Sequence, residues 1–211
     1  MNGHDYLAYG KRELRVSAVV ILVTVFTQLL LVLLAAAGGW WRRVAWWHAL
    51  AVPGAGAGVA AIAYGVLGGL GAAVVASGAT RLWPGLRAAL GEVVIPFFRH
   101  LPFGTATAVV ACSAIGEEIF FRGFLQPLVG LVWQALIFGL VHYGFRRELF
   151  AYGIMAGIAG LWLGYLYNAT GVLWTVFVAH AVYNVADLWA IRRGWVGTAS
   201  TLGLGRGGFK G

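Results

Sequence analysis

Six apolar runs of helical length occupy most of this chain and decide what it can fold into. They cover roughly 16–37, 56–79, 105–121, 131–143, 149–167 and 171–191. A helix needs about 20 apolar residues to cross a bilayer core. Only 10% of the residues are charged and 61% are hydrophobic, whereas soluble domains carry roughly 25% charged residues. Such a chain cannot cover itself with polar surface and must be solvated by lipid. The expected fold is all-α, a polytopic transmembrane helix bundle of about six spans around a central polar cavity. The fourth run is short for a full span and must be tilted or extended.

The remaining segments read as the parts of a membrane protein. Val16–Ala37 is 22 residues long, beyond the roughly 7–15 of a signal-peptide core, so it is read as a retained first span. Residues 40–50 mix Trp40, Trp41, Trp46 and Trp47 with Arg42 and Arg43, the composition of a membrane–water interface. Gly65, Gly68, Gly69 and Gly71 in the second run permit close helix packing. Residues 81–104 hold Pro84, Pro96 and Pro102 with Arg81, Arg87 and Arg99 and read as a broken interfacial segment. The expected organisation is a single transmembrane domain over 1–191, its motif-bearing core at 105–190, and a basic, Gly-rich, disordered tail over 192–211.

The net charge of +8 and pI near 10.2 do not point to nucleic acid. The basic residues sit between apolar runs, and no basic face is interleaved with stacking aromatics. With six spans and a cytoplasmic N-terminus, twelve basic residues fall inside: Lys11, Arg12, Arg15, Arg81, Arg87, Arg99, Arg146, Arg147, Arg192, Arg193, Arg206 and Lys210. Three fall outside, Arg42, Arg43 and Arg122. The bias favours both termini in the cytoplasm. The Ala, Gly and Trp content fits a bacterial chain from a GC-rich genome, hence the bacterial inner membrane. Cys112 is the sole cysteine, so no internal disulfide is possible, and its apolar surroundings read as those of a buried thiol.

Glu117, Glu118, Asp187, His142 and His180 lie within apolar stretches. An ionisable group in hydrocarbon costs at least about 2.5–3.5 kcal/mol for Asp and usually faces a protein interior or a watery cavity. Arg122 follows Glu118 by four positions, one helical turn, within ion-pair reach. Glu117 lies about 100° round the helix. The pair therefore divides: Glu118 is neutralised by Arg122 and holds structure, while Glu117 stays free as a general base in a low-dielectric setting. Phe138 and His142 are four apart, which lets the phenyl ring pack beneath the imidazole. His180, Asn184 and Asp187 form one polar stripe. Asn184 can donate two N–H bonds without carrying charge, as an oxyanion hole requires. Asp187 reads either as a group orienting a neighbour or as a helix-end residue near the interface.

These pieces, in this order, resemble the CPBP family of CAAX-protease and bacteriocin-processing (ABI) membrane proteins. The family pattern is Glu-Glu-x-x-x-Arg, Phe-x-x-x-His and His-x-x-x-Asn. Here it is met by Glu117, Glu118 and Arg122, by Phe138 and His142, and by His180 and Asn184. The resemblance covers about 105–190 and implies a glutamic-type intramembrane endopeptidase. It implies that Glu117 with His142 activates water, that His180 and Asn184 stabilise the oxyanion, and that Glu118 and Arg122 hold the site. The implied substrate is a membrane-anchored protein or peptide cut near its C-terminus, and a bacterial sorting enzyme of the myxosortase-like branch is one form this could take.

Other chemistries fit less well. His-Glu-x-x-His of zinc peptidases is absent, and no cofactor is expected, although two carboxylates and two histidines could still bind a divalent metal such as zinc. Of the serines Ser17, Ser77, Ser113 and Ser200, only Ser113 lies near the cluster, without a nucleophile elbow. A non-catalytic bacteriocin-immunity or scaffold protein is the alternative of a different class. A transporter with a carboxylate relay ranks below it, because no internal repeat occurs. One conflict stands. The six-span order puts Glu117 nearer the outer face and His142 near the inner end of its run, yet the mechanism requires them to meet.

Overall fold

A computed structural model describes residues 3–51, 54–98 and 101–194. All regular structure among them is helical. In chain order the α-helices are α1 (Gly3–Arg42), α2 (Ala55–Leu82), α3 (Pro84–Ala89), α4 (Ile95–Phe98), α5 (Phe103–Glu118), α6 (Gln126–Tyr143), α7 (Phe150–Thr170) and α8 (Leu173–Arg192). Short 3₁₀ turns occupy Trp46–Leu50 and Arg147–Leu149. π-helical stretches occupy Leu90–Val94 and Ile119–Leu125. Four segments are long and apolar enough to cross a membrane: Val16–Arg42, Ala55–Leu82, Phe103–Tyr143 and Arg147–Thr170. The chain is an integral membrane protein, a helical bundle that turns side chains such as Leu22, Phe26 and Leu33 outward.

The count of four differs from the expected six for two physical reasons. First, the third and fourth runs are joined: α5 continues through the π-helical stretch into α6, giving one 41-residue helical segment. That segment is not straight. Gly130 has φ +83° and ψ 169°, a conformation glycine adopts at no steric cost, and Pro127 sits in the turn before it. Glu117 and His142 are 25 positions apart, roughly 37 Å on a straight helix at 1.5 Å per residue. Their side chains instead approach to 4.0 Å, so the chain reverses at Gly130. The return leg from Leu131 to Tyr143 rises only about 20 Å and ends at Gly144, whose left-handed φ of +56° caps the helix. Second, α8 carries His180, Asn184 and Asp187, which lower its hydropathy. It packs largely against other helices and buries Thr175, Val176, Phe177, Ala179 and His180, leaving Trp174 and Trp189 exposed.

The reversal settles the conflict of depth. Glu117 lies thirteen residues before Gly130 and His142 twelve residues after it, so both sit at one level. The third run appeared to end near residue 121 because Arg122 interrupts it, but the helix runs on. Arg122 is not in an outside loop: it is fully buried between helices. It therefore drops out of the topological charge count.

The two ends of the bundle are distinct. At one end the turn Trp46–Leu50 lies against Gly123, Pro127, Tyr167 and Gly171, and the Trp174 indole donates to the Leu50 carbonyl at 3.0 Å. At the other end Arg192 donates to the carbonyls of Phe98 and Leu101 at 3.1 and 2.6 Å, and α3 lies beside the turn Arg147–Leu149. Arg81, Arg87, Arg146, Arg147, Arg192 and Arg193 gather at this second end; Arg42 and Arg43 mark the first. The segment expected to be broken and interfacial is α3, the π-helical stretch and α4. It lies across the second end and turns Leu90, Val94 and Phe98 toward the interior. Most of the expected tail, 195–211, lies outside the described residues.

Close packing against α2 sets the position of α8. A Cβ at Gly65 would lie 2.7 Å from the Thr175 carbonyl and 2.8 Å from Val178 Cβ, and one at Gly69 would meet the Ala179 carbonyl and Val182. Gly68 receives Leu166 of α7, whereas Gly71 faces open space and does not contribute. Cys112 is exposed on the outer surface, beside Ile21 and Val25 of α1, and is not the buried thiol expected. In a membrane helix the lipid-facing side is as apolar as the core, so an apolar neighbourhood in sequence does not mark burial. Gly69→Val should lower stability in detergent by about 1–3 kcal/mol through overpacking, read as a fall in melting temperature. Gly71→Ala should leave it within about 0.5 kcal/mol.

Candidate active site

α5 presents both glutamates at its end, where α1 approaches closely. At Gly116 a Cβ would meet the Gln28 side chain and lie 2.8 Å from the Gln28 carbonyl oxygen. Only a residue without a side chain admits α1 there. The helix then widens into the π-helical stretch, a local geometry common at functional sites.

Glu118 is fully buried and joins three elements. Arg122 Nη1 donates to its Oε1 at 2.9 Å, and both side chains are inaccessible. His180 Nδ1, on α8, meets the same oxygen at 2.6 Å. A carboxylate can only accept, so this nitrogen carries the proton. Arg122 makes two further contacts: Nη2 donates to the Gly160 carbonyl of α7 at 3.2 Å, and the guanidinium lies 4.9 Å from the centre of the Phe138 ring, while Nε has no hydrogen-bond partner among the described residues. Phe138 also stacks 4.3 Å from the His142 ring and meets Phe121 edge-on at 4.8 Å. One phenylalanine thus separates the buried ion pair from the imidazole.

Glu117 is placed differently. It faces a cavity of about 240 Å³ whose lining includes His142, His180, Asn184, Asp187, Tyr152 and Tyr183. Its Oε2 lies 4.0 Å from His142 Nε2 and 4.0 Å from His180 Nε2, too far for a direct hydrogen bond, and it has no hydrogen-bond partner among the described residues. His142 Nδ1 is 2.8 Å from the Phe138 carbonyl. A carbonyl cannot donate, so Nδ1 carries a proton and Nε2 is the ring nitrogen nearest Glu117. Asn184 Nδ2 donates one hydrogen to the Val110 carbonyl at 3.0 Å. Its second amide hydrogen is left for the cavity. Asp187 lines the far part of the cavity near Tyr183.

The structure brings together all eight residues singled out from the sequence: Glu117, His142, His180, Asn184 and Asp187 around the cavity, and Glu118, Arg122 and Phe138 beneath it. Among the described residues no three His, Cys, Asp or Glu side chains form a set that could hold a metal ion. Several participants were not foreseen. Tyr152 and Tyr183 line the cavity, and Tyr183 sits inside the very stretch that supplied His180 and Asn184. Gln134 Nε2 donates to the Gly160 carbonyl at 3.0 Å, the acceptor it shares with Arg122. Gln126 Nε2 bonds the Gly164 carbonyl at 3.0 Å and Asn168 Oδ1 at 2.7 Å. Gln134 had a signal, since it is a polar residue within an apolar run; Gln126 and Asn168 lie just outside the runs and had none.

Removing one partner of a buried pair strands the other, at about 3–5 kcal/mol. Glu118→Ala and Arg122→Ala should each unfold the protein at markedly lower temperature in detergent. The paired change Glu118→Leu with Arg122→Met should melt above either single variant, because no buried charge is left without a counterion. Equal melting of the single variants and wild type would contradict the pairing as a stabilising element.

Part of the chain resembles known proteins. Residues 99–186 match the family described as type II CAAX prenyl endopeptidase Rce1-like. That segment holds every site residue except Asp187. The uncharacterized protein YpbD of Bacillus subtilis (strain 168) is 33% identical over 79 residues, which are 37% of this chain and 41% of that protein. The chain therefore matches under half the length of this relative. No solved structure matches. The segment that carries the two glutamates, both histidines and the asparagine is thus similar to the CAAX-protease-like membrane peptidases of that family.

Proposed function

We propose that this protein is a glutamic-type intramembrane endopeptidase that cuts a membrane-anchored protein or peptide near its C-terminus. The observation that supports this most directly is the position of Glu117 Oε2, 4.0 Å from each of two imidazole Nε2 atoms. A water about 2.8 Å from both Glu117 Oε2 and His142 Nε2 fits that separation. Its two hydrogens point at two acceptors, so its lone pairs turn toward the cavity and the peptide carbonyl.

The steps follow from the residues present. Glu117 takes a proton as the water oxygen bonds to the carbonyl carbon. The carbonyl oxygen becomes an oxyanion, stabilised by the free Asn184 N–H and by His180 Nε2 in its protonated form. His180 can carry that charge because Glu118 receives Nδ1–H at 2.6 Å, and preorganised donors of this kind are worth about 10²–10³ in rate. The C–N bond then breaks, and the proton held on Glu117 passes to the leaving amine. Arg122 balances Glu118 throughout and takes no part in the proton transfers. In this reading no cofactor is needed. The arginine-rich end of the bundle faces the cytoplasm by the charge bias of membrane proteins, and the cavity lies beneath the π-helical stretch Leu90–Val94 and α4 at that end.

Glu117→Gln should reduce cleavage by about 10²–10⁴-fold with an unchanged melting temperature. Mass spectrometry of membrane-protein C-termini, wild type against Glu117→Gln at matched expression in the native host, reads both activity and substrates. Tails retained only in the variant establish the peptidase and its cleavage site. Identical profiles would favour the immunity or scaffold role instead. Purified enzyme should keep its activity in the presence of a chelator; loss on chelation with rescue by zinc would move the role of base to a metal-bound water.

A further inference from the structure

The cavity has a second carboxylate that the proposed chemistry does not use. Asp187 lies seven residues after His180 on α8, so the two share a helix face about 10 Å apart along the axis. That distance is spanned by about three residues of extended chain at roughly 3.3 Å each. Asp187 forms no ion pair among the described residues. The nearest arginine on its helix, Arg192, is occupied by the carbonyls of Phe98 and Leu101 and by the Phe103 ring. The cavity lining contains Glu117 and Asp187 and neither lysine nor arginine. Tyr152 lines the same cavity within electrostatic reach of both carboxylates, and the Tyr183 hydroxyl hydrogen-bonds to Asp187. Leu90, Val94, Phe98, Leu188 and Ile191 close the remainder. A charge left in a partly apolar cavity without a protein counterion is stabilised most by a cation from outside. Two phenol rings next to it add favourable surfaces for that cation.

We infer that Asp187, with Tyr152 and Tyr183, forms a specificity subsite for a lysine or arginine side chain of the substrate, about three residues from the scissile bond. This rests on the peptidase reading of the same cavity. It excludes a substrate whose glutamate or aspartate falls at that position, since like charges would then face each other in a poorly solvated site. The subsite reads sequence where the Glu117 end carries out chemistry, and α8 holds both in register through His180 and Asp187.

The test uses the full-length protein in detergent with a set of lipid-anchored reporter peptides. The peptides differ only three residues before or three residues after the cleaved bond, where each carries Lys, Ala or Glu. Wild type should cut one of the two Lys peptides at least about tenfold faster, in kcat/KM, than its Ala counterpart, and the Glu peptide more slowly still. In Asp187→Asn the Lys-to-Ala ratio should fall toward one, mainly through KM. Asp187→Lys should reverse the order of Lys and Glu peptides, an outcome that a merely structural role for Asp187 would not produce. Binding of the same peptides to Glu117→Gln is measured alongside by fluorescence anisotropy. Equal cleavage of all peptides by wild type, or a Lys preference that persists in Asp187→Asn, overturns the subsite. If wild type cuts none of them while Glu117→Gln still binds the Lys peptide in an Asp187-dependent manner, the peptidase reading fails and the subsite stands. If none is cut and none binds preferentially, the subsite is overturned.

Discussion

The arrangement depends on one buried oxygen, Glu118 Oε1, which receives Arg122 from its own helix and His180 from α8. Taking a carboxylate and a guanidinium out of water costs several kcal/mol per ion, and their mutual attraction does not reliably return it. Such a pair is a poor way to stabilise a bundle and a good way to specify one. If α8 slides or rotates relative to α5, the carboxylate loses the imidazole and the charges are left under-bonded. Glycines on α2 and α7 fit this requirement. Gly65 and Gly69 press α2 on the backbone of α8 at the level of His180, and Gly160 offers its carbonyl to Arg122 and Gln134 together. The positions that must be smallest are those that hold the polar contacts in place.

The helix reversal at Gly130 serves the same end by different means. Glu117 and His142 meet at one depth, although hydrocarbon forbids lipid-exposed loops there. A near-symmetric hairpin solves this: thirteen residues climb from Glu117 to the turn and twelve descend from it to His142. The return leg is too short to cross the bilayer, so the connection after it, with Arg146, Arg147 and Glu148, begins within about one helical turn of His142. Arg146 and Glu148 are exposed there. Water therefore has a polar approach close to a site that a full-length span would have kept further from the surface.

Much of this was legible in the sequence, and what was not has a common cause. Spacings of three, four and seven fix which side chains share a face of one helix, so Glu118 with Arg122, Phe138 with His142, and the stripe from His180 to Asp187 followed from periodicity. Contacts between helices do not follow from it. That Glu118 binds His180, 62 positions away, is set by packing against α2, whose glycines show only that something comes close. The extent of α5 was misread because a charged residue normally ends a spanning run, whereas Arg122 is neutralised within the bundle. Cys112 was misplaced because apolar sequence does not distinguish a lipid-facing side from a core-facing one. The reversal at Gly130 could not be told from an ordinary helical glycine without its φ angle.

The last step joins the two halves of the site through a single ring. Glu118, Arg122 and Phe138 form a dry layer with no solvent access; Glu117, His142, Asn184 and Asp187 face the cavity. His180 has one nitrogen in each. Because Nδ1–H is committed to Glu118, the state of Nε2 on the cavity side is governed by charge held on the dry side. Any change that weakens the Arg122–Glu118 pair alters how strongly Glu118 draws the imidazole proton, and so alters what the ring presents to the cavity. Structural and chemical roles are thus not separable at Glu118. Glu117 Oε2 has no such partner among the described residues and faces the cavity. The adjacent glutamates differ in surroundings because one helix step of about 100° carries one into the packed seam and the other into the cavity.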